Sequence, residues 1–239
     1  MKKTLFILLL PFIFFGCEKN EENEIIIQSS ATVYCGDTIS IPITAPLDYS
    51  VEFNNNYINT IKKNNEILII GKKVGVSNLT LISNDETKNC KIECKGKYNF
   101  YQEPYFLFGE NKYTVQAHEF RTIYQEQENA LFYLGENNNI GMCYYGFQNN
   151  SLEGTVTIHP ILSSSNVSKQ IIERYLIIGQ EENTFYFVSP DSKIIGSIEM
   201  NIDYVTVINM KNPNNKSNNN IINTLKEFSE NNKSIIYKP

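Results

Sequence analysis

Two stretches near the start of the chain leave little choice of secondary structure: TISIPIT (38–44) and CKIECK (90–95) alternate apolar and polar residues with a period of two. In the first, Ile39, Ile41 and Ile43 share one face, with Thr38, Ser40 and Pro42 opposite. In the second, Cys90, Ile92 and Cys94 share a face, with Lys91, Glu93 and Lys95 on the other. A helix would scatter these side chains around its axis, whereas a half-buried strand sorts them onto two faces. Between the two stretches lie short apolar runs at 49–53, 58–61, 67–70 and 76–82, punctuated by Asn and Gly. Strands this short, at this regular spacing, predict a β-sandwich over 31–95.

The order of features in YCGDTISIPI, then NNNYINTIKKNNEILIIGKKVGVSNLTLIS, then CKIECK is similar to the bacterial Ig-like domain of group 2. Gly36 and Asp37, Tyr57 to Ile61, and Gly71, Lys72, Lys73 and Gly75 take the places of that family's motifs; the NNN run blurs the segment before Tyr57. The resemblance implies a spacer or adhesion module. It also implies that the first strand runs parallel to the last, carrying the end of 31–35 toward the end of 89–95. A Cys35–Cys94 disulfide is the pairing this implies, and closing such a loop would add about 4 kcal/mol. Reduced core thiols are the other reading. Asp37-Thr38-Ile39 resembles the O-glycosylation sequon of Bacteroidota, with Thr38 as the acceptor.

Residues 96–239 read as an α+β domain, making the fold class mixed: an all-β Ig-like sandwich followed by helices packed on an antiparallel sheet. An aromatic run, YNFYQEPYFLFG, bridges the halves, and Pro104 keeps it from being a helix. Tyr101, Tyr105 and Phe106 are the candidate aromatic contacts, against the plainer reading in which the run packs beneath the next helix. Asn111 can cap a helix with Tyr113, Ala117, Phe120 and Tyr124 on one stripe. Ser165 or Asn166 can cap a second, with Val167, Ile171, Ile172 and Tyr175 inward. Strands are expected at 130–135, 141–147 and 154–160 after the first helix, and at 176–178, 184–188, 194–200 and 204–210 after the second. QEQENALFYL (125–134) echoes GQEENTFYFV (179–188), and SLEGTVTIH (151–159) echoes KIIGSIEMN (193–201), which suggests a tandem α-β-β-β repeat. The phrase EPYFLFGENKYTV resembles lipoprotein domains of gut Bacteroidota, and the topology is similar to the β-lactamase-inhibitor and outer-membrane assembly lipoprotein group; neither likeness transfers a functional residue. An Asn-rich linker is expected at 211–220, then a short helix over 220–231 and an edge strand at 235–237.

The N-terminus carries a different message. Lys2 and Lys3, the apolar run Leu5 to Phe15, and Gly16 before Cys17 form a secretory signal over 1–17. FFGC resembles the bacterial lipobox, departing from it in Phe14 where the family has Leu, and the resemblance implies that Cys17 is lipidated and anchors the chain to a membrane. Residues 18–30 read as an acidic tether, since EKNEENE offers nothing to bury. The tether resembles the signal that sends Bacteroidota lipoproteins to the outer face of the outer membrane, so a cell-surface location is expected.

With 21 basic and 26 acidic residues, a net charge of −5 and no basic stripe, nucleic acid is excluded as a partner. The chain contains no nucleophile elbow, zinc-protease pair, phosphate loop or dinucleotide fingerprint. Its two histidines, His118 and His159, have no partner at metal spacing, and Cys90 and Cys94 have no matching pair, so neither a metal nor a cofactor is expected. Cys143 reads as a buried thiol. Glu126, Glu128, Glu181 and Glu182 read as solvated turn residues. The asparagine runs 54–56 and 218–220 read as codon bias. The expected function is therefore non-enzymatic: a lipid-anchored envelope protein that binds or adheres, with the Ig-like module as spacer. Glycan capture in a polysaccharide-uptake system is one alternative, disfavoured by the lack of Trp but left open by fifteen Tyr. An inhibitor or assembly factor for another envelope protein is the second.

Overall fold

The computed structural model describes residues 24–46, 48–83, 86–213 and 218–236. Strands account for 53% and helices for 17%. The first half is the two-sheet sandwich its alternation demands. One sheet orders β1 (Ile26–Ile27), β3 (Thr38–Thr44), β6 (Glu66–Gly71) and β5 (Ile58–Lys62). The other orders β2 (Ser30–Tyr34), β8 (Glu86–Lys95), β7 (Gly75–Ser83) and β4 (Ser50–Glu52). β2 runs parallel to β8, with Val33 opposite Cys94. Ile41, Ile43, Ile67, Ile69, Leu79, Leu81, Cys90 and Ile92 are all buried between the sheets. Each such aliphatic side chain contributes about 1.5–3 kcal/mol. The sandwich begins earlier than the sequence placed it, because Ile25 is buried in this core and β1 pairs with β3. The acidic tether therefore ends before Ile25.

The second half is one eight-stranded antiparallel sheet, and the expected α+β domain is corrected to a mostly β one. Its strands are β9 (Ile123–Gln127), β10 (Ala130–Asn137), β11 (Ile140–Gln148), β12 (Ser151–Pro160), β13 (Leu176–Glu181), β14 (Thr184–Val188), β15 (Ile194–Met200) and β16 (Tyr204–Lys211). They lie in the order β13-β14-β15-β16-β12-β11-β10-β9, so two four-stranded meanders meet where β12 pairs with β16. The first meander has four strands where three were expected, because β9 was missed, while the second has the four expected: every residue of IYQEQ is exposed, and no apolar alternation marks it. The first echo does mark equivalent hairpins, β9–β10 and β13–β14. The second aligns β12 with β15, which are not equivalent positions.

The helices are too short to define a layer. α1 (Lys112–His118) has its N-cap at Asn111, whose side chain accepts from Thr114 N–H at 3.0 Å. It buries only Val115, and the expected stripe is wrong: Tyr113 is 79% exposed and Phe120 and Tyr124 lie outside the helix, also exposed. The helix stops because Glu119 turns extended to meet Arg121. α2 (Ser164–Arg174) buries Val167 and Ile171 as expected, with Tyr175 just beyond, while Ile172 faces out. Its N-cap is Ser163, without a side-chain cap bond, rather than Ser165 or Asn166. α3 (Asn218–Ile236) crosses the opposite sheet face, burying Ile221, Leu225 and Phe228 one helical stripe apart. It takes in positions 235 and 236, where an edge strand was expected; residue 237 lies outside the described residues.

The two halves meet at the C-terminal end of α2. The sandwich donates Val74 N–H to the Glu173 carbonyl at 2.8 Å and the Lys73 ammonium to the Ile172 carbonyl. These satisfy carbonyls that the last turn of a helix leaves unpaired. A second contact joins Asn56 Nδ2 to the Pro190 carbonyl at 2.9 Å.

Candidate ligand-binding site

The aromatic run bridging the halves is pinned at both ends. Tyr105 N–H donates to the Tyr145 hydroxyl at 2.9 Å, and Gly109 N–H donates to the Leu152 carbonyl at 2.9 Å. Gly109 sits at φ +97°, a conformation that glycine adopts without a Cβ clash, and there the strap turns toward α1. Within it the Phe106 and Phe108 rings stack, centroids 5.9 Å apart.

Facing the strap is the tight turn between β14 and β15. The Ser189 hydroxyl donates to Asp191 Oδ1 at 2.6 Å and accepts from Lys193 N–H at 3.1 Å and Ile194 N–H at 2.9 Å. Ser192 takes a left-handed φ of 59° at its apex. Asn212, just after β16, locks the turn from below: its side-chain amide donates to the Ser192 carbonyl at 2.8 Å and its N–H to the Lys193 carbonyl at 2.8 Å. Burial alone would raise the Asp191 carboxyl, but the Ser189 hydroxyl and the backbone and ammonium of Lys193 outweigh it and hold it below its ordinary value.

Strap and turn enclose an open cavity of about 480 Å³ lined by Phe106, Leu107, Phe108, Asp191, Lys193 and Lys211, among others. That volume suits a small ligand or one sugar unit. Its wall combines aromatic faces, two ammonium groups and a carboxylate. Asn212, on the wall, is 9% exposed, and its Oδ1 has no hydrogen-bond partner among the described residues. A buried acceptor left unpaired costs about 1–3 kcal/mol and calls for a partner from water or a ligand.

The sequence-predicted residues scatter. Tyr101 is largely buried, 5% exposed and edge-on to His159 at 4.5 Å, and the surface it keeps faces a separate polar pocket beside Glu103 and Arg174. Tyr105 is half-buried and stacked on His118, centroids 4.8 Å apart. Phe106 alone of the three lines the cavity. Thr38 is exposed at the start of β3, beside Asp37, which pairs with Lys97 at 2.5 Å. Cys35 and Cys94 face each other as buried thiols with sulfurs 3.6 Å apart. Cys17 lies outside the described residues. Sequence reasoning missed Asp191, Lys193, Lys211 and Asn212, which carry no local motif and meet Phe106 only through the sheet.

Elsewhere the titratable groups are tied into the fold. Cys143 is fully buried, and burial pushes its thiol up to about 12, so it stays protonated at neutral pH. His159 bridges Thr157 Oγ1, at 2.8 Å, and the Asn139 carbonyl, and burial lowers it to about 4. Arg121, its side chain 1% exposed, pairs with Glu119 at 2.9 Å and Glu136 at 2.7 Å. Glu103 and Arg174 line a second, polar cavity of about 350 Å³. Burial raises the Glu103 carboxyl, against the pull of Arg174 and the Tyr175 hydroxyl. No group of three or more His, Cys, Asp or Glu able to hold a metal ion occurs among the described residues.

No family profile matches the chain, and no curated protein matches it. Among solved structures it is similar to domains 4–9 of the surface layer protein SbsC, at 11% identity and a TM-score of 0.27, over 81% of this chain and 27% of that one. Domains 5–6 of the same S-layer protein match at 10% identity and a TM-score of 0.25, over 81% and 88%. The titin Ig tandem A164–A165 matches at 11% identity and a TM-score of 0.26, over 81% and 84%. This chain thus spans about a quarter of the length of the first of these.

Proposed function

We propose that this chain is a lipid-anchored cell-envelope protein that binds a ligand without chemistry, the Ig-like sandwich holding the eight-stranded sheet away from the membrane. Anchoring at Cys17 and exposure on the outer face of the outer membrane rest on the lipobox-like FFGC and the acidic residues after it. The observation that carries the binding reading is the cavity between the Phe106–Phe108 strap and the 189–194 turn. Both walls are held by backbone and side-chain hydrogen bonds before any ligand arrives, and such preorganisation lowers the ordering cost of binding.

A glycan is the second reading, favoured by one feature of that wall. Stacked phenyl faces beside an amide, ammoniums and a carboxylate offer a sugar both an apolar platform and hydrogen-bonding groups. A glycan array and a pull-down from envelope fractions, run with residues 24–239 and with Phe106→Ala, separate the two. Array binding lost in the variant selects the sugar, whereas a protein captured by wild type and lost in the variant selects adhesion. Retention of every partner by Phe106→Ala would remove the cavity from the account.

A further inference from the structure

The end of the sandwich that grips α2 also holds two thiols. Cys35 follows β2 and bridges across to Gly71 at the end of β6, so it joins the two sheets. Its N–H donates to the Lys95 carbonyl at 2.9 Å, and its sulfur lies 3.6 Å from that of Cys94 on β8. A Cβ on Gly71 would sit 2.9 Å from Cys94 Sγ and 2.4 Å from the Tyr34 carbonyl oxygen, so the pair packs directly on glycine backbone. The Cys35 thiol also points out of the sandwich, donating to the Glu173 carbonyl at 3.8 Å, the same carbonyl that takes Val74 N–H. One sulfur therefore faces its redox partner and the other half of the molecule at once.

We propose that Cys35 and Cys94 form a thiol–disulfide couple whose oxidation slackens the grip of the sandwich on the C-terminal end of α2. The attacking sulfur is Cys94. Its sulfur lies 3.6 Å from Cys35 Sγ, whose single S–H is shared between it and the Glu173 carbonyl, and that contact outweighs burial to hold the Cys94 thiol below its ordinary value. Access for the oxidant comes from local opening of the joint. The Cys94 thiolate attacks one sulfur of an incoming disulfide, a small one or that of a thiol oxidoreductase, forming a mixed disulfide and releasing one thiolate. Cys35 then gives its proton to the released thiolate and attacks Cys94 Sγ, expelling the second thiolate, which takes up from water the proton that Cys94 gave up on ionising. Two protein thiols become one disulfide, and the oxidant's disulfide takes both electrons and becomes two thiols. Closing the sulfurs from 3.6 Å to about 2.05 Å draws Cys35 Sγ inward, and the proton it donated to the Glu173 carbonyl is gone. Lys73 and Val74 still hold the helix end, so the joint loosens without parting.

The test equilibrates the mature full-length protein with oxidised glutathione, or with dithiothreitol, in enough urea to open the joint transiently, and then removes the urea. Oxidation should lower the intact mass by about 2 Da and yield a Cys35–Cys94 cross-linked peptide. Amide exchange over 72–75 and 97–99 should speed up about threefold or more relative to the reduced form. Cys35→Ser keeps a hydroxyl donor for the Glu173 carbonyl and cannot oxidise, so its exchange should ignore the redox buffer; Cys94→Ala gives the same readout should the serine variant fold poorly. Absence of the cross-linked peptide, pairing through Cys90 or Cys143 instead, or cross-linking with unchanged exchange would each overturn the proposal.

Discussion

The backbone N–H of Val74, in the sandwich, donates to the carbonyl of Glu173, the next-to-last residue of α2, at 2.8 Å. A helix end is thus capped by another part of the fold, and Lys73 strengthens the cap by placing its ammonium at the Ile172 carbonyl, where the helix dipole favours positive charge. Lys73→Ala should lower stability by about 1 kcal/mol, read as a shift in the urea midpoint. Lys72→Ala, whose ammonium serves the exposed Asn55 carbonyl, should shift it by less than half as much.

Legibility in the sequence followed burial on one face. TISIPIT and CKIECK were readable because one face meets core and the other water, and Ile41, Ile43, Cys90 and Ile92 are where alternation put them. β9 was invisible because neither face is buried, and the stripe on α1 misled because α1 ends after seven residues, before Phe120 is reached. The 54–56 run, read as codon bias, does structural chemistry: Asn56 N–H binds Asn54 Oδ1 at 3.0 Å and its side chain makes the Pro190 contact. Asn149 and Asn150, at φ 50° and 61°, form the left-handed two-residue loop between β11 and β12. The cavity was legible only through Phe106, since its remaining wall is assembled from residues far along the chain.

Burial holds His159 neutral in the folded state, at about 4, while the unfolded chain protonates it near 6.5. Below the unfolded value the unfolded state binds more protons, so this contribution is intact above about pH 6.5 and is lost as pH falls toward 4. About 2 kcal/mol should disappear between pH 8 and pH 5. Urea midpoints of wild type and His159→Gln, compared at both pH values, isolate it: the variant should show a shallower loss, and parallel curves would refute the assignment.

Arg121 is matched by two carboxylates inside the sheet's edge, so deleting it leaves Glu119 charged and buried. Arg121→Met should cost about 3–5 kcal/mol, and adding Glu119→Gln should restore part of that loss. A double-mutant cycle in urea measures the coupling; additive losses would mean the pair acts independently.

Gly71 has no room for a methyl group, since its Cβ would lie 2.4 Å from the Tyr34 carbonyl oxygen, which is backbone and cannot swing away. Gly71→Ala should destabilise the sandwich by about 1–3 kcal/mol, seen as a lower thermal midpoint. Gly141→Ala, whose nearest atom would be 3.5 Å away, should be milder.

The claim on which the functional account rests is that ligand enters the cavity between Phe106 and Lys211. Isothermal titration of the first ligand from the array or pull-down, against wild type, Phe106→Ala and Lys211→Glu, tests it most directly, with urea midpoints as the fold control. The account predicts at least a tenfold weaker affinity in both variants at unchanged midpoint, about 1.4 kcal/mol of binding energy each. Equal affinity in all three proteins would contradict it.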